Sequence, residues 1–89
     1  MTAALRPAFG KGVRLRREPD GSAMLLVPEG ALVLNAAATA ALSLVDGTRT
    51  MDDIVAALVG QFDVAPEQAR SDVEALFERL SERRLLVSA

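Results

Sequence analysis

Asp52-Asp53 is the one pair of adjacent carboxylates in the chain, and it is where acid–base chemistry would be sought first. Neighbouring residues on a helix point about 100° apart, so the two carboxylates do not converge on one substrate. They read instead as the start of a helix. Thr50 is the cap, Asp53 stands three residues on in an approximate capping box, and both acids lie at the positive end of the helix dipole. Ser43, Ser71, Ser81 and Ser88 have no base to activate them, because the chain contains no His. It contains no Cys either, which removes thiolate nucleophiles, disulfides and cysteine metal sites. Neither GxGxxG nor GxxxxGK[ST] occurs, so the glycines build no phosphate loop. Glu29 sits in a turn and reads as a solvated turn residue. No metal or cofactor constellation exists, and side-chain catalysis is not expected.

The stretch that the rest of the chain is organised to hold is Met24–Asn35, MLLVPEGALVLN. It reads as two short β-runs, Met24–Val27 and Ala31–Leu34, separated by Pro28-Glu29-Gly30. Proline fixes φ and glycine tolerates positive φ, so the break is a turn. Both runs are apolar on both alternating faces, whereas a solvated antiparallel sheet normally shows one polar face. Helices must cover one side, and something else must cover part of the other. Upstream, Val13-Arg14-Leu15-Arg16 alternates with period two, a half-buried strand over Gly12–Arg17 with Val13 and Leu15 inward. Pro19-Asp20-Gly21-Ser22 turns it into the next run. A three-strand meander follows, with its third strand, Ala31–Leu34, exposed along one side.

Three helices come next. Asn35 caps Ala36–Val45, whose stripe is Ala38, Ala41, Leu42 and Val45, and Asp46-Gly47 ends it. Thr50 caps the second, which buries Met51, Ile54, Val55, Leu58 and Phe62. Pro66 suits the first position of the third, Pro66–Arg83, with Ala69, Val73, Leu76, Phe77 and Leu80 as its stripe. Leu85-Leu86-Val87 reads as a short packed tail. The layout is α+β, a three-stranded antiparallel sheet followed by three helices, close to a winged helix-turn-helix.

The 89 residues make one modest core, 51% apolar but only 3% aromatic, so it is built from Leu, Val, Ile and Ala. Residues 1–11, broken by Pro7 and Gly10, read as a flexible N-terminal arm, and 12–89 as a single domain. Arg6, Lys11, Arg14, Arg16 and Arg17 fall within the first 17 residues without one acid, although the net charge is −2. Arg14, Arg16 and Arg17 are therefore candidates for docking an acidic partner. No long apolar h-region follows Met1, and no run approaches the ~20 apolar residues of a membrane span. A cytoplasmic protein without membrane contact is expected.

Several residues in this layout together match a known family. They are Pro7, Val13-Arg14-Leu15, Leu26-Val27-Pro28-Glu29-Gly30, Leu34-Asn35 with Ala38 and Leu42, Asp46-Gly47 with Thr50 and Ile54, and Asp72-Val73 with Leu76 and Leu80. On these residues the chain resembles the PqqD family of pyrroloquinoline quinone (PQQ) biosynthesis, the founding type of the recognition elements of ribosomal peptide modification. The resemblance covers nearly everything from Arg6 to Val87. It implies a non-catalytic chaperone that binds the precursor peptide PqqA and presents it to the radical SAM enzyme PqqE, which joins a glutamate and a tyrosine of the peptide. It also implies that the peptide adds as a strand beside the third strand, in the groove against the third helix. Carried over, the peptide-binding residues are Ala31, Leu32, Val33 and Leu34, with Asp72, Ala75, Leu76 and Arg79 along one flank of the third helix. Ala75 leaves room for a peptide side chain, and Arg79 suits an acidic one. The family also contains relatives serving other modified peptides.

A winged-helix DNA-binding module is the rival from another class. Its recognition helix would be basic, whereas the third helix carries Glu67, Asp72, Glu74, Glu78 and Glu82 against Arg70, Arg79 and Arg83. No nucleic-acid partner is expected. A homodimer through the same open strand is a further expectation, compatible with peptide binding and in competition with it.

Overall fold

The two hairpin turns foreseen in the sequence set the architecture. The structure, a computed structural model, describes residues 5–88. Strands β2 (Arg14–Arg17), β3 (Ala23–Val27) and β4 (Gly30–Leu34) form an antiparallel meander in the order β2-β3-β4. At the first turn Glu18 N donates to Ser22 O at 2.9 Å, and Asp20 Oδ1 accepts from the amide and hydroxyl of Ser22. At the second, Pro28-Glu29 link the paired residues Val27 and Gly30. Helices α1 (Ala36–Leu42), α2 (Met51–Gln61) and α3 (Pro66–Glu82) follow. The α+β expectation of three strands and then three helices holds.

Two strands complete it: β1 (Pro7–Phe9) and β5 (Leu86–Ser88) pair antiparallel, with Pro7 opposite Ser88 and Phe9 opposite Leu86. β1 lies inside the 1–11 stretch expected to be a flexible arm. Over Pro7–Phe9 that expectation is corrected: Pro7 is fully buried and the strand is paired. Residues 1–4 of the expected arm lie outside the described residues. The reason is local stitching. Gly47 N donates to Pro7 O at 3.0 Å, Met51 N to Leu5 O at 3.1 Å, and Gly10 N to Leu85 O at 2.9 Å. Gly47 can turn its amide this way because it adopts φ +80°, open to glycine at no steric cost.

The caps stand as read. Asn35 Oδ1 accepts from Ala38 N at 2.8 Å, and Thr50 and Asp53 form a reciprocal capping box. α1 is shorter than expected, stopping at Leu42. Ser43 Oγ donates to Thr39 O at 2.6 Å, and Leu44 and Val45 then tighten into i→i−3 hydrogen bonds. The core joins Leu25 and Val27 of the sheet to Leu42, Met51, Ile54 and Phe77 of the helices, with Leu86 of β5 against them. Ala23, Leu25 and Val27 are buried, so the helices cover one face of the sheet. Met24 and Leu26, on the other face, are only half-buried. Among the described residues no helix is long and apolar enough to cross a membrane.

Candidate functional site

β4 is an edge strand, and the turn hydrogen bond fixes which of its groups are free. Antiparallel pairs alternate between hydrogen-bonded and non-hydrogen-bonded. The Glu18–Ser22 bond makes Arg16–Met24 and Arg14–Leu26 the bonded pairs between β2 and β3. Ala23, Leu25 and Val27 therefore turn their amides and carbonyls toward β4, where they meet Leu34, Leu32 and Gly30. Ala31 and Val33 are left with their N–H and C=O directed to the open edge. Among the described residues no strand pairs with that edge. Val33 is 83% exposed.

The four candidate residues on β4, Ala31–Leu34, thus divide into two kinds. Ala31 and Val33 are exposed and offer backbone. Leu32 and Leu34 are half-buried and pack on the core. A cavity of about 420 Å³ begins at Asn35, where β4 ends, and lies between α1, the end of α2 and α3. Asp72, Ala75, Leu76 and Arg79 all line it. Leu76, also expected in the buried stripe, is only partly buried, since the cavity takes one of its sides. Asp72 accepts from Gln68 Nε2 at 2.8 Å. The opposite wall is apolar and was not singled out from the sequence: Ala37 and Ala38 of α1, with Phe62 and Val64 past the end of α2. The small side chains of Ala37, Ala38 and Ala41 leave space where larger ones would fill it. In the turn before β4, Glu29 Oε1 meets Arg83 Nη2, at the C-cap of α3, at 3.4 Å.

The arginine cluster is separated. Arg14 and Arg16 alternate with Leu15 and point to the sheet face away from the helices, and Arg16 pairs with Glu18 at 3.0 Å. Arg17 points the other way and donates to Ser43 Oγ at the C-cap of α1.

The carboxylates considered for catalysis are also employed in structure. Asp52 pairs with Arg70 across α2 and α3. Asp53 is held below the usual carboxylate range by the amide and then the hydroxyl of Thr50. Asp46 is lowered further, to about 2, by the Arg49 amide first, then the amide and hydroxyl of Thr48. Among the described residues no cluster of acids could hold a metal ion.

The comparisons with known proteins bear on this site. Residues 22–86 match the family model described as "Coenzyme PQQ synthesis protein D (PqqD)". The chain belongs to the PqqD family. PqqD relatives include a "PqqA binding protein" of Rhizobium meliloti (strain 1021), 38% identical over 79 residues, which span 88% of this chain and 81% of the relative. The "PqqA binding protein" of Stutzerimonas stutzeri (strain A1501) is 42% identical over 78 residues, 86% of this chain and 84% of that one. A solved PqqD structure is similar throughout, with a TM-score of 0.76 and 33% identity, covering 91% of this chain and 87% of the other. It is the PqqD truncation of Methylobacterium extorquens PqqCD, described as a stand-alone recognition element for ribosomally synthesized and post-translationally modified peptides.

Proposed function

We propose that this chain is a non-catalytic peptide chaperone of PQQ synthesis. It binds a PqqA-type precursor peptide as an added strand on β4, in the groove against α3, and presents it to the radical SAM enzyme PqqE. The observation that carries this reading is the open β4 edge, with Val33 83% exposed, together with the cavity of about 420 Å³ that begins at Asn35 past the strand's end and reaches α3. An unpaired edge offers amides and carbonyls that an extended peptide satisfies, and side-chain pockets add specificity. The names of the relatives support PqqA as the guest. Ala31 and Val33 supply the backbone. Leu32 and Leu34 hold the strand to the core. Ala75 and Leu76 shape the groove, and Asp72 and Arg79 read peptide charge at its rim. Arg14 and Arg16 serve the enzyme partner. In this reading the catalytic step belongs to that enzyme, and Asp52 and Asp53 serve the fold through Arg70 and Thr50.

Titration of labelled protein with synthetic PqqA, followed by amide NMR, tests the site. Shifts are expected at Ala31–Leu34 and at Asp72–Arg79. Shifts confined to β2 would refute the location. Calorimetry with and without PqqE tests presentation, and a different modified precursor as competitor tests guest identity. DNA binding is disfavoured by the acids of α3 and by the engagement of Arg70 with Asp52. A second copy of the chain is the remaining rival occupant of the edge, and sedimentation at rising concentration, with and without peptide, discriminates it.

A further inference from the structure

The sheet face turned away from the helices has its own chemistry. The register puts Arg14, Leu26 and Ala31 in one cross-strand row and Arg16, Met24 and Val33 in the next. Neither row contains a carboxylate. The nearest, Glu18, is engaged by Arg16. The centre is apolar and incompletely covered: Met24 and Leu26 are half-buried, Ala31 is exposed, and Val33 more so. Arginines beside exposed apolar side chains suit a protein surface with an apolar centre and a carboxylate fringe.

The same face is continuous with the peptide site. A guest strand on β4 becomes the fourth strand of this sheet, and alternate guest side chains then stand on this face beside Ala31 and Val33, about 5 Å away. From strand spacing and rise, the three-strand face measures roughly 17 by 14 Å, about 240 Å². That is well short of the ≈ 800 Å² per partner of a standard stable interface. A fourth strand widens it by about a third and adds peptide side chains to what a partner reads.

We propose that this outer face is the docking surface for the peptide-modifying enzyme and that the bound peptide completes it, so the enzyme binds the loaded protein more tightly than the empty one. The inference rests on the peptide reading above and adds the surface and the coupling. Because coupling is reciprocal, the enzyme tightens peptide binding by the same factor.

The test uses the intact chain, synthetic PqqA and PqqE as probes, and two variants. Arg14→Glu/Arg16→Glu reverses the charge, and Met24→Glu alters the apolar centre of the face on β3, one strand away from the peptide edge. Peptide titration comes first. Both variants are expected to keep the wild-type peptide Kd within about threefold, and thermal melts report their folding. PqqE is expected to bind the loaded wild-type protein at least about fivefold more tightly than the empty one, the low end of typical coupling. Each variant is expected to weaken loaded-complex binding about tenfold or more. Equal PqqE affinity for loaded and empty protein, or wild-type PqqE affinity in both variants, overturns the proposal. A wild-type chain that takes no peptide instead breaks the earlier reading, and the first titration shows it.

Discussion

Two strands of this molecule face opposite fates. β1 is three residues long and is held by β5 on one side and by Gly47 through the Pro7 carbonyl on the other, with Met51 holding the carbonyl of nearby Leu5. β4 is longer, pairs only with β3 among the described residues, and leaves Ala31 and Val33 facing outward. Edge strands are ordinarily blunted or covered. The chain covers the short, proline-led one and leaves the long, apolar one open. On the reading proposed above, the open edge of β4 is where the guest strand adds, without any reactive side chain.

The sharpest way to break the contrast is to introduce proline at adjacent β4 positions. Leu32→Pro removes an amide bonded to β3 and is expected to cost the fold about 3 kcal/mol or more, read by urea or thermal unfolding. Gly10→Ala attacks the closed side. A Cβ there would come within 2.2 Å of Arg84 O, a backbone atom that cannot swing away. A loss of about 2–3 kcal/mol is expected, a fall in Tm of roughly 10 °C or more, with unchanged peptide affinity in the fraction that remains folded. Val33→Pro deletes an outward amide instead. Peptide binding should weaken about tenfold, while stability changes by less than about 1 kcal/mol. Equal losses in Leu32→Pro and Val33→Pro would mean that the derived bonding pattern of β4 is wrong.

Smaller effects sharpen the comparison. Thr50→Ala removes half of the capping box beside the Met51 N–H that holds Leu5 O, and about 1 kcal/mol should be lost with no change in peptide Kd. Acid acts on the same closed side. Asp46 titrates at about 2 when folded against 3.8 ordinarily, so its contribution is present above 3.8 and lost as pH falls toward 2. Asp20 and Asp53, also lowered, act in the same sense. Because Asp46 organises the loop whose Gly47 clasps Pro7, amide exchange in β1 should rise before that in β3 on acidification.

Features decided within a few residues were legible in the sequence: the Asn35 and Thr50 caps, Pro66 at the start of α3, and the Asp20-Gly21 and Pro28-Glu29 turns. The β1–β5 pairing was not. It joins residues nearly a whole chain apart in strands too short for periodicity, and Pro7 reads locally as a breaker. Arg17 was legible by parity, since it shares the inward face with Leu15, but a guanidinium suggests solvent until Ser43 is seen to receive it. The groove's α3 flank followed from helical spacing together with the family resemblance. Its alanine wall did not, because Ala38 and Ala41 at stripe positions look the same whether they touch a neighbour or border a space.

Pro7 opposite Ser88 has a topological corollary. Across an antiparallel pair the two backbones lie about 5 Å apart, so the chain enters and leaves this domain at one corner. A tether or fused enzyme on either side would hang from that corner, and joining the two ends with a short linker should yield a circularly permuted protein with β4 intact. The Methylobacterium relative, cut from a longer PqqCD chain yet standing alone, fits a module built to be carried this way.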